Sequence, residues 1–182
     1  GVFSMIVGSL VVTAGAMIIG TVFGLGLAIV LTIFCPKELA AILKPLIELL
    51  AGIPSVVYGF IGVVTIVPFI RDYFGGPGLS VLATSIVLGV MVLPTVTSIS
   101  IDALKSVPRS YWEGSIALGA TEWQSTHMVM LKAARSGIVA AIILGMGRAV
   151  GETMAVIMVC GNTLEIPKSP LDPLRTLTSN IA

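Results

Sequence analysis

Charge is scarce in this sequence. Asp, Glu, Lys and Arg together make 10% of the 182 residues, where a soluble globular domain carries about 25%. Water is therefore a poor solvent for most of its surface. The formal net charge is +1 and there is no basic run, so nucleic acid is not an expected partner. There is one histidine, His127, with no cysteine or carboxylate at ligand spacing; neither a metal nor another cofactor is expected. Cys35 and Cys160 are too few for a disulfide framework and are read as small apolar packers at opposite membrane faces. No GxxxxGK[ST] phosphate loop occurs, so any nucleotide energy must come from another polypeptide. "GMGRAVG" departs from a dinucleotide fingerprint, with Val150 where the third glycine belongs. The opening "GVFSMIVGSLVV" has neither a charged leader nor an initiating Met, and the sequence is read as part of a longer protein.

What the chain has in abundance is apolar sequence: 56% hydrophobic residues and a mean hydropathy of +1.08. Gly1–Pro36, Leu49–Ile70 and Tyr73–Ile101 carry no charge, and crossing a bilayer takes about 20 apolar residues. Spans are expected at about residues 4–34, 53–70 and 79–101, the last following the "GGPG" turn at Gly75–Gly78. A fourth is expected at 136–164, because neither uncharged flank of Arg148–Glu152 crosses alone. Four crossings place Pro36–Glu48 and Asp102–Arg135 on one side, with Lys37, Lys44, Lys105, Arg109, Lys132 and Arg135. The other side holds only Arg71, Lys168 and Arg175. The positive-inside bias assigns the richer side to the cytoplasm. Ala16, Gly20 and Gly24, and Gly147 with Gly151, recur at helical spacing and predict faces for close helix approach. Pro68 and Pro94 are candidate bends.

Arg148 and Glu152 are the chemical anomaly. A charge at mid-bilayer costs roughly 2.5–3.5 kcal/mol on insertion scales and tends to mark a pathway or a pair. Four residues apart on a continuous helix, they share a face. One reading is a salt bridge that lets the helix pack. The other is an anion site in which the guanidinium fork donates to the substrate and Glu152 neutralises Arg148 when the site is empty. Thr153, Ser55 and Tyr58 are weaker candidates for the same path, with ordinary packing as the competing reading.

The stretch 102–135 is polar and aromatic. Ser110 with Glu113 has capping-box spacing, Gly119 suits a helix end, and Thr121 or Glu122 opens a second amphipathic piece carrying Trp123, Met128, Val129 and Leu131. Such a piece either docks a partner or lies on lipid with Trp112 and Trp123 at the headgroups.

"EGSIALGATEWQSTHMVML", Glu113 to Leu131, resembles the cytoplasmic EAA loop of ABC-importer permeases, Glu-Ala-Ala-x3-Gly-x9-Ile-x-Leu-Pro. Glu113 and Gly119 fit, and Val129 and Leu131 fall on the Ile and Leu; Gly114, Ser115 and Lys132 depart. "LIELLAGIPSVVYGF" (Leu46–Phe60) and "GRAVGETMAVIMVCGN" (Gly147–Asn162) resemble phosphate-specific permeases, more the PstC-type subunit than the PstA-type. The resemblance covers essentially the whole chain. It implies an all-α membrane protein, a type I ABC importer permease (MetI-like) transmembrane helix bundle, with about four of six core helices in a single domain, 1–182. It implies an integral-membrane subunit of an ATP-driven inorganic phosphate importer, not itself an enzyme, in a bacterial or archaeal cell membrane. The implied partners are a homologous PstA-like permease, a cytoplasmic ATPase dimer and an extracytoplasmic phosphate-binding protein. The implied coupling residues are Glu113, Ala117, Gly119, Ala120 and Trp123. Rival functions are a permease for another anion, an ATP-independent channel or structural subunit, and an intramembrane hydrolase. The expected spans hold no aspartate or histidine for the hydrolase to use.

Overall fold

The computed structural model describes residues 2–181. In chain order its helices are α1 (Val2–Ile29), α2 (Lys37–Ala51), α3 (Ser55–Ile61), α4 (Val67–Phe74), α5 (Val81–Lys105), α6 (Arg109–Ala117), α7 (Glu122–Gln124), α8 (Leu131–Ala133), α9 (Arg135–Gly151), α10 (Met154–Val159) and α11 (Leu177–Ile181). Wider π-type turns at Val30–Phe34, Gly62–Ile66 and Ser125–Met130 extend α1, join α3 to α4 and join α7 to α8. Among the described residues the sole extended pairing is a bridge between Gly161 and Leu174. The protein is an all-α membrane protein.

Among the described residues three helical runs are each long and apolar enough to cross a membrane: Val2–Phe34, Ser55–Phe74 and Val81–Lys105. The last is the centre of the bundle. Its apolar window is 61% buried, against 22% in each of the other two, and α1, α2 and α9 all pack along it. Ser80 starts α5 by accepting the Ala83 N–H at 3.2 Å, which satisfies one of the donors a helix start leaves free.

The α1–α5 contact is as close as the sequence predicts. Ala16 is fully buried. A Cβ on Gly20 would lie 3.1 Å from Val92 Cγ1 and 3.2 Å from the Gly89 carbonyl, and one on Gly24 would lie 3.2 Å from Val96. The Thr97 hydroxyl crosses the seam to donate to the Gly24 carbonyl at 3.1 Å. Between lipid-facing helices, small residues and interhelical hydrogen bonds of this kind supply the attraction that water does not. Gly147 and Gly151 behave otherwise: both are exposed, and added Cβ atoms there would meet nothing within 4 Å. In α9 it is Gly137 and Gly145 that pack, the first against Ala103 and the second against Val92 and Val96.

The run 136–164, expected as one helix, is broken. α9 ends at Gly151, Glu152 turns to an extended backbone (φ −74, ψ 132), and α10 restarts at Met154. Gly151 and the β-branched Thr153 flank the turn, both weak helix formers. Side chains satisfy part of the freed backbone: Glu152 Oε1 accepts the Ala155 N–H at 3.3 Å, and the Thr178 hydroxyl donates to the Glu152 carbonyl at 3.0 Å. At its other end α9 meets the Glu122–Ala133 segment at 71°.

The stretch 36–48, expected as a connection, is mostly helix. α2 runs from Lys37 to Ala51 against the last turns of α5. The bundle thus has two distinct ends. One gathers the ends of α1 and α5, the start of α2 and α6–α8. The other gathers the start of α1, the α4–α5 turn and the 161–176 return, where Leu174 N–H bonds the Cys160 carbonyl at 2.8 Å and Val81 N–H bonds the Asp172 carbonyl at 3.0 Å. Cys35 and Cys160 are free thiols, half-buried and buried.

Candidate functional site

Arg148 occupies the last turn of α9 and is half-buried. Its Nη1 donates to the Thr95 hydroxyl on α5 at 3.1 Å, and its Nη2 donates to the Ala51 carbonyl at 3.1 Å. Ala51 is the last residue of α2, so its carbonyl belongs to the final turn, whose acceptors have no partner inside the helix. That end also carries the negative pole of the helix dipole. Tyr58 serves the same helix end, its hydroxyl donating to the Leu50 carbonyl at 2.7 Å. Two of the predicted path residues thus converge on the C-terminus of α2, which stops before the Gly52-Ile53-Pro54 turn. Ser55 opens α3 just beyond that turn.

Glu152 and Thr153 do not join them. The predicted Arg148–Glu152 pair required one continuous helix, and the break removes the shared face. Among the described residues no carboxylate lies within 4.0 Å of the Arg148 guanidinium. Glu152 instead accepts the Ala155 N–H in the first turn of α10 and lines a small cavity of about 10 Å³ whose other polar residues are Ser9, Thr13, Thr176 and Thr178, room for about one water molecule. The Thr153 hydroxyl reaches only the Gly151 carbonyl, at 3.5 Å. Arg148 therefore keeps a positive charge held by two neutral acceptors, with donors to spare.

Below Arg148, toward the α6–α8 end, lie polar groups that the sequence reading passed over. Ser98 donates to Glu48 Oε1 at 3.4 Å. Lys44 Nζ reaches Asp102 Oδ1 at 2.6 Å and Glu48 Oε1 at 3.7 Å. The hydrogen bond that Lys44 donates to Asp102 raises the Lys44 pKa above its ordinary value, against the opposing effect of partial burial. A signal was present: Thr95, Ser98 and Asp102 are spaced to share one face of α5.

The second candidate region, 109–133, stands at the same end. α6 is entered through Pro108, with no side-chain cap. Glu113 does not close a capping box with Ser110; it pairs with Arg109 at 3.5 Å, both side chains exposed. Gly119 takes φ +88 beyond the end of α6, a left-handed conformation that glycine adopts without strain. Thr121 and Gln124 form the capping box that starts α7, with bonds of 2.9 and 3.3 Å. The hydroxyls of Ser115 and Ser125 bond each other and fix α6 against the following turn. Ala117, Leu118 and Trp123 are left exposed, Leu118 at 91% and Trp123 at 63%. Trp123 stacks on the exposed His127 ring, with centroids 6.4 Å apart. Ala120 is half-buried and lines, with Leu118, Gly119 and Met128, a groove of about 390 Å³. The apolar, outward-facing character of this surface suits a protein partner.

Residues 20–169 match the family described as binding-protein-dependent transport system inner membrane component. Over its whole length the chain is 50% identical to a protein of Bacillus subtilis described as a probable ABC transporter permease, YqgH. It is 35% identical to the phosphate transport system permease protein PstC of Mesorhizobium japonicum and 38% identical to PstC 1 of Mycobacterium tuberculosis, again over the whole chain. The chain spans 59%, 62% and 60% of the lengths of these relatives. All are described as permeases, none as an enzyme.

Proposed function

The chain belongs to the family of binding-protein-dependent transport system inner membrane components, and from that membership we propose that it forms the translocation path of an ATP-driven inorganic phosphate importer. The observation that carries the choice of substrate is the Arg148 guanidinium among apolar helices, held among the described residues by two neutral acceptors, the Thr95 hydroxyl and the Ala51 carbonyl. An uncompensated cation there lowers the energy of an anion beside it. The planar fork offers two parallel donors and cannot lose its proton. Neutral acceptors hold it in place without competing for it as a carboxylate would. The permeases named PstC among its relatives support phosphate over other anions. Tyr58 and Ser55 stand at the same end of α2; Glu152 and Thr153 shape the helix break that follows Arg148.

The end bearing α6–α8 faces the cytoplasm in this reading, as its lysines and arginines favour. There the surface of Glu113, Ala117, Gly119, Ala120 and Trp123 docks an ATPase subunit. A homologous permease completes the path, and an external binding protein delivers the anion. Closure of the ATPase dimer moves α6–α8, and the 71° junction with α9 passes that motion to the segment that carries Arg148.

The test is labelled-phosphate uptake by the complete transporter in liposomes. Arg148→Gln is expected to abolish uptake while the subunits still co-purify, and Arg148→Lys to retain only a fraction, as an ammonium lacks the fork. Unchanged uptake in Arg148→Gln refutes the reading. Uptake of another tetrahedral anion in preference to phosphate changes the substrate and leaves the path in place.

A further inference from the structure

α2 and α5 meet through three polar rungs. At the deepest, Arg148 bridges the Ala51 carbonyl and the Thr95 hydroxyl. Next, Ser98 donates to Glu48 at 3.4 Å. Outermost, Lys44 binds Asp102 at 2.6 Å, with Glu48 at 3.7 Å. Lys44, Glu48 and Ala51 share one face of α2, and Thr95, Ser98 and Asp102 share one face of α5. Seven residues of helix rise about 10 Å, so the seam runs about that far from Arg148 toward the α6–α8 end.

Packing does not require these rungs. Beside them Leu43 and Ile47 already seat α2 on Ile101 and Leu104, and apolar residues of similar volume join helices without the desolvation that charges incur. The seam is also open along one side. Lys44, Glu48 and Asp102 keep 27%, 51% and 62% of their side-chain surface exposed. A partly exposed row of donors and charges running from Arg148 has the chemistry that a route for an anion needs.

We infer that this seam is the inner half of the anion path, with Lys44 as a second cationic station that Asp102 and Glu48 hold occupied until the anion arrives. The inference rests on Arg148 being the first station. In the arrangement seen here both carboxylates flank Lys44, so the seam repels an anion and is shut. Passage requires Lys44 to exchange Asp102 and Glu48 for the substrate oxygens. An ammonium suits that exchange because it is a point charge on a flexible stem, satisfied by many geometries. Two successive weak stations bind the anion well enough to admit it and loosely enough to release it.

The complete transporter in liposomes, loaded with ATP and given labelled phosphate, tests this. Lys44→Gln/Asp102→Asn keeps a hydrogen-bonding pair across the helices and removes the cation. Uptake is expected to fall at least tenfold with normal co-purification of the subunits, whereas Lys44→Arg stays within about threefold of the parent. Asp102→Asn alone removes the closer of the two carboxylates that hold Lys44 and is expected to raise ATP-independent phosphate leak several-fold. Uptake within twofold of the parent in Lys44→Gln/Asp102→Asn overturns the inference. Should that double variant fail to assemble, an unchanged leak in Asp102→Asn overturns it instead. Arg148→Gln is run in parallel. If it is inactive while the double variant transports normally, only the seam fails; if Arg148→Gln itself transports normally, the path reading fails first.

Discussion

The guanidinium of Arg148 donates to the Thr95 hydroxyl at 3.1 Å, across 53 residues of sequence, and not to Glu152 one turn away. This contact joins the end of α9 to the middle of α5 and aims the charge at the C-terminus of α2. A charged hydrogen bond of this type contributes about 1.5–3 kcal/mol, enough to decide where the guanidinium points.

Thr95→Val keeps the shape of the side chain and deletes the acceptor. Arg148 then keeps only the Ala51 carbonyl and loses its fixed direction. The expected outcome is a rise of roughly tenfold in the KM for phosphate, since 1.4 kcal/mol is a factor of ten, with subunit assembly intact. Initial uptake rates against phosphate concentration measure it. An unchanged KM means that Thr95 does not position the site.

Glu152 gives a sharper contrast between its two readings. As a cap it needs only an oxygen acceptor for the Ala155 N–H, now met at 3.3 Å. Glu152→Gln retains an acceptor and is expected to leave thermal stability nearly unchanged. Glu152→Ala removes it and is expected to lower stability by about 1 kcal/mol, the usual net worth of one hydrogen bond. Were the carboxylate neutralising Arg148, both substitutions would act alike, and uptake rather than melting would report them. Thermal unfolding of the detergent-solubilised transporter separates the outcomes.

This residue also shows where the sequence stopped being legible. Its charge pattern placed Arg148 and Glu152 inside an apolar region, and the structure keeps both within the bundle. The error lay in assuming one unbroken helix. Periodicity reports which residues avoid water, and a two-residue break at Glu152–Thr153 leaves that pattern untouched. The break is stabilised by partners distant in sequence, above all Thr178, 26 residues on. The α2–α5 seam was missed for a different reason. Lys44 and Glu48 read as connection residues because they are charged, and only packing against Ser98 and Asp102 shows the helix they belong to. By contrast, the Gly119 turn and the Thr121 start depend on a few neighbouring residues, and the sequence located the first and narrowed the second to Thr121 or Glu122.

The small-residue faces yield a paired prediction. Gly20→Leu drives a side chain into Val92 and the Gly89 carbonyl, already 3.1 and 3.2 Å from an added Cβ. Overpacking of this kind costs about 1–3 kcal/mol, and the transporter is expected to melt at lower temperature or to be recovered in smaller amount. Gly147→Leu meets open space within this chain and is expected to leave its own fold unaltered. Comparing the yield and unfolding temperature of the two variants checks both. Equal damage from each would show that Gly147 faces another packed surface in the assembled protein.

Gly119 and Leu118 separate the shape of the outer surface from its stickiness. At φ +88, Gly119 lets the chain reverse between α6 and α7, and a side chain in this left-handed region costs roughly 1–2 kcal/mol. Gly119→Ala is therefore expected to shift the relative placement of α6 and α7 and to lower phosphate-dependent ATP turnover several-fold. Leu118→Asp leaves that turn alone, because Leu118 is 91% exposed and its replacement disturbs no core. It places a charge on the face that would meet the ATPase subunit, and its effect is expected mainly as weaker co-purification. Measuring ATPase recovery and turnover per bound ATPase in both variants distinguishes them: Gly119→Ala keeps recovery and loses turnover, and Leu118→Asp does the reverse. If Leu118→Asp retains full recovery, the exposed apolar face of α6 is not the docking surface, and the partner must be sought on the α7–α8 side around Trp123 and Met128.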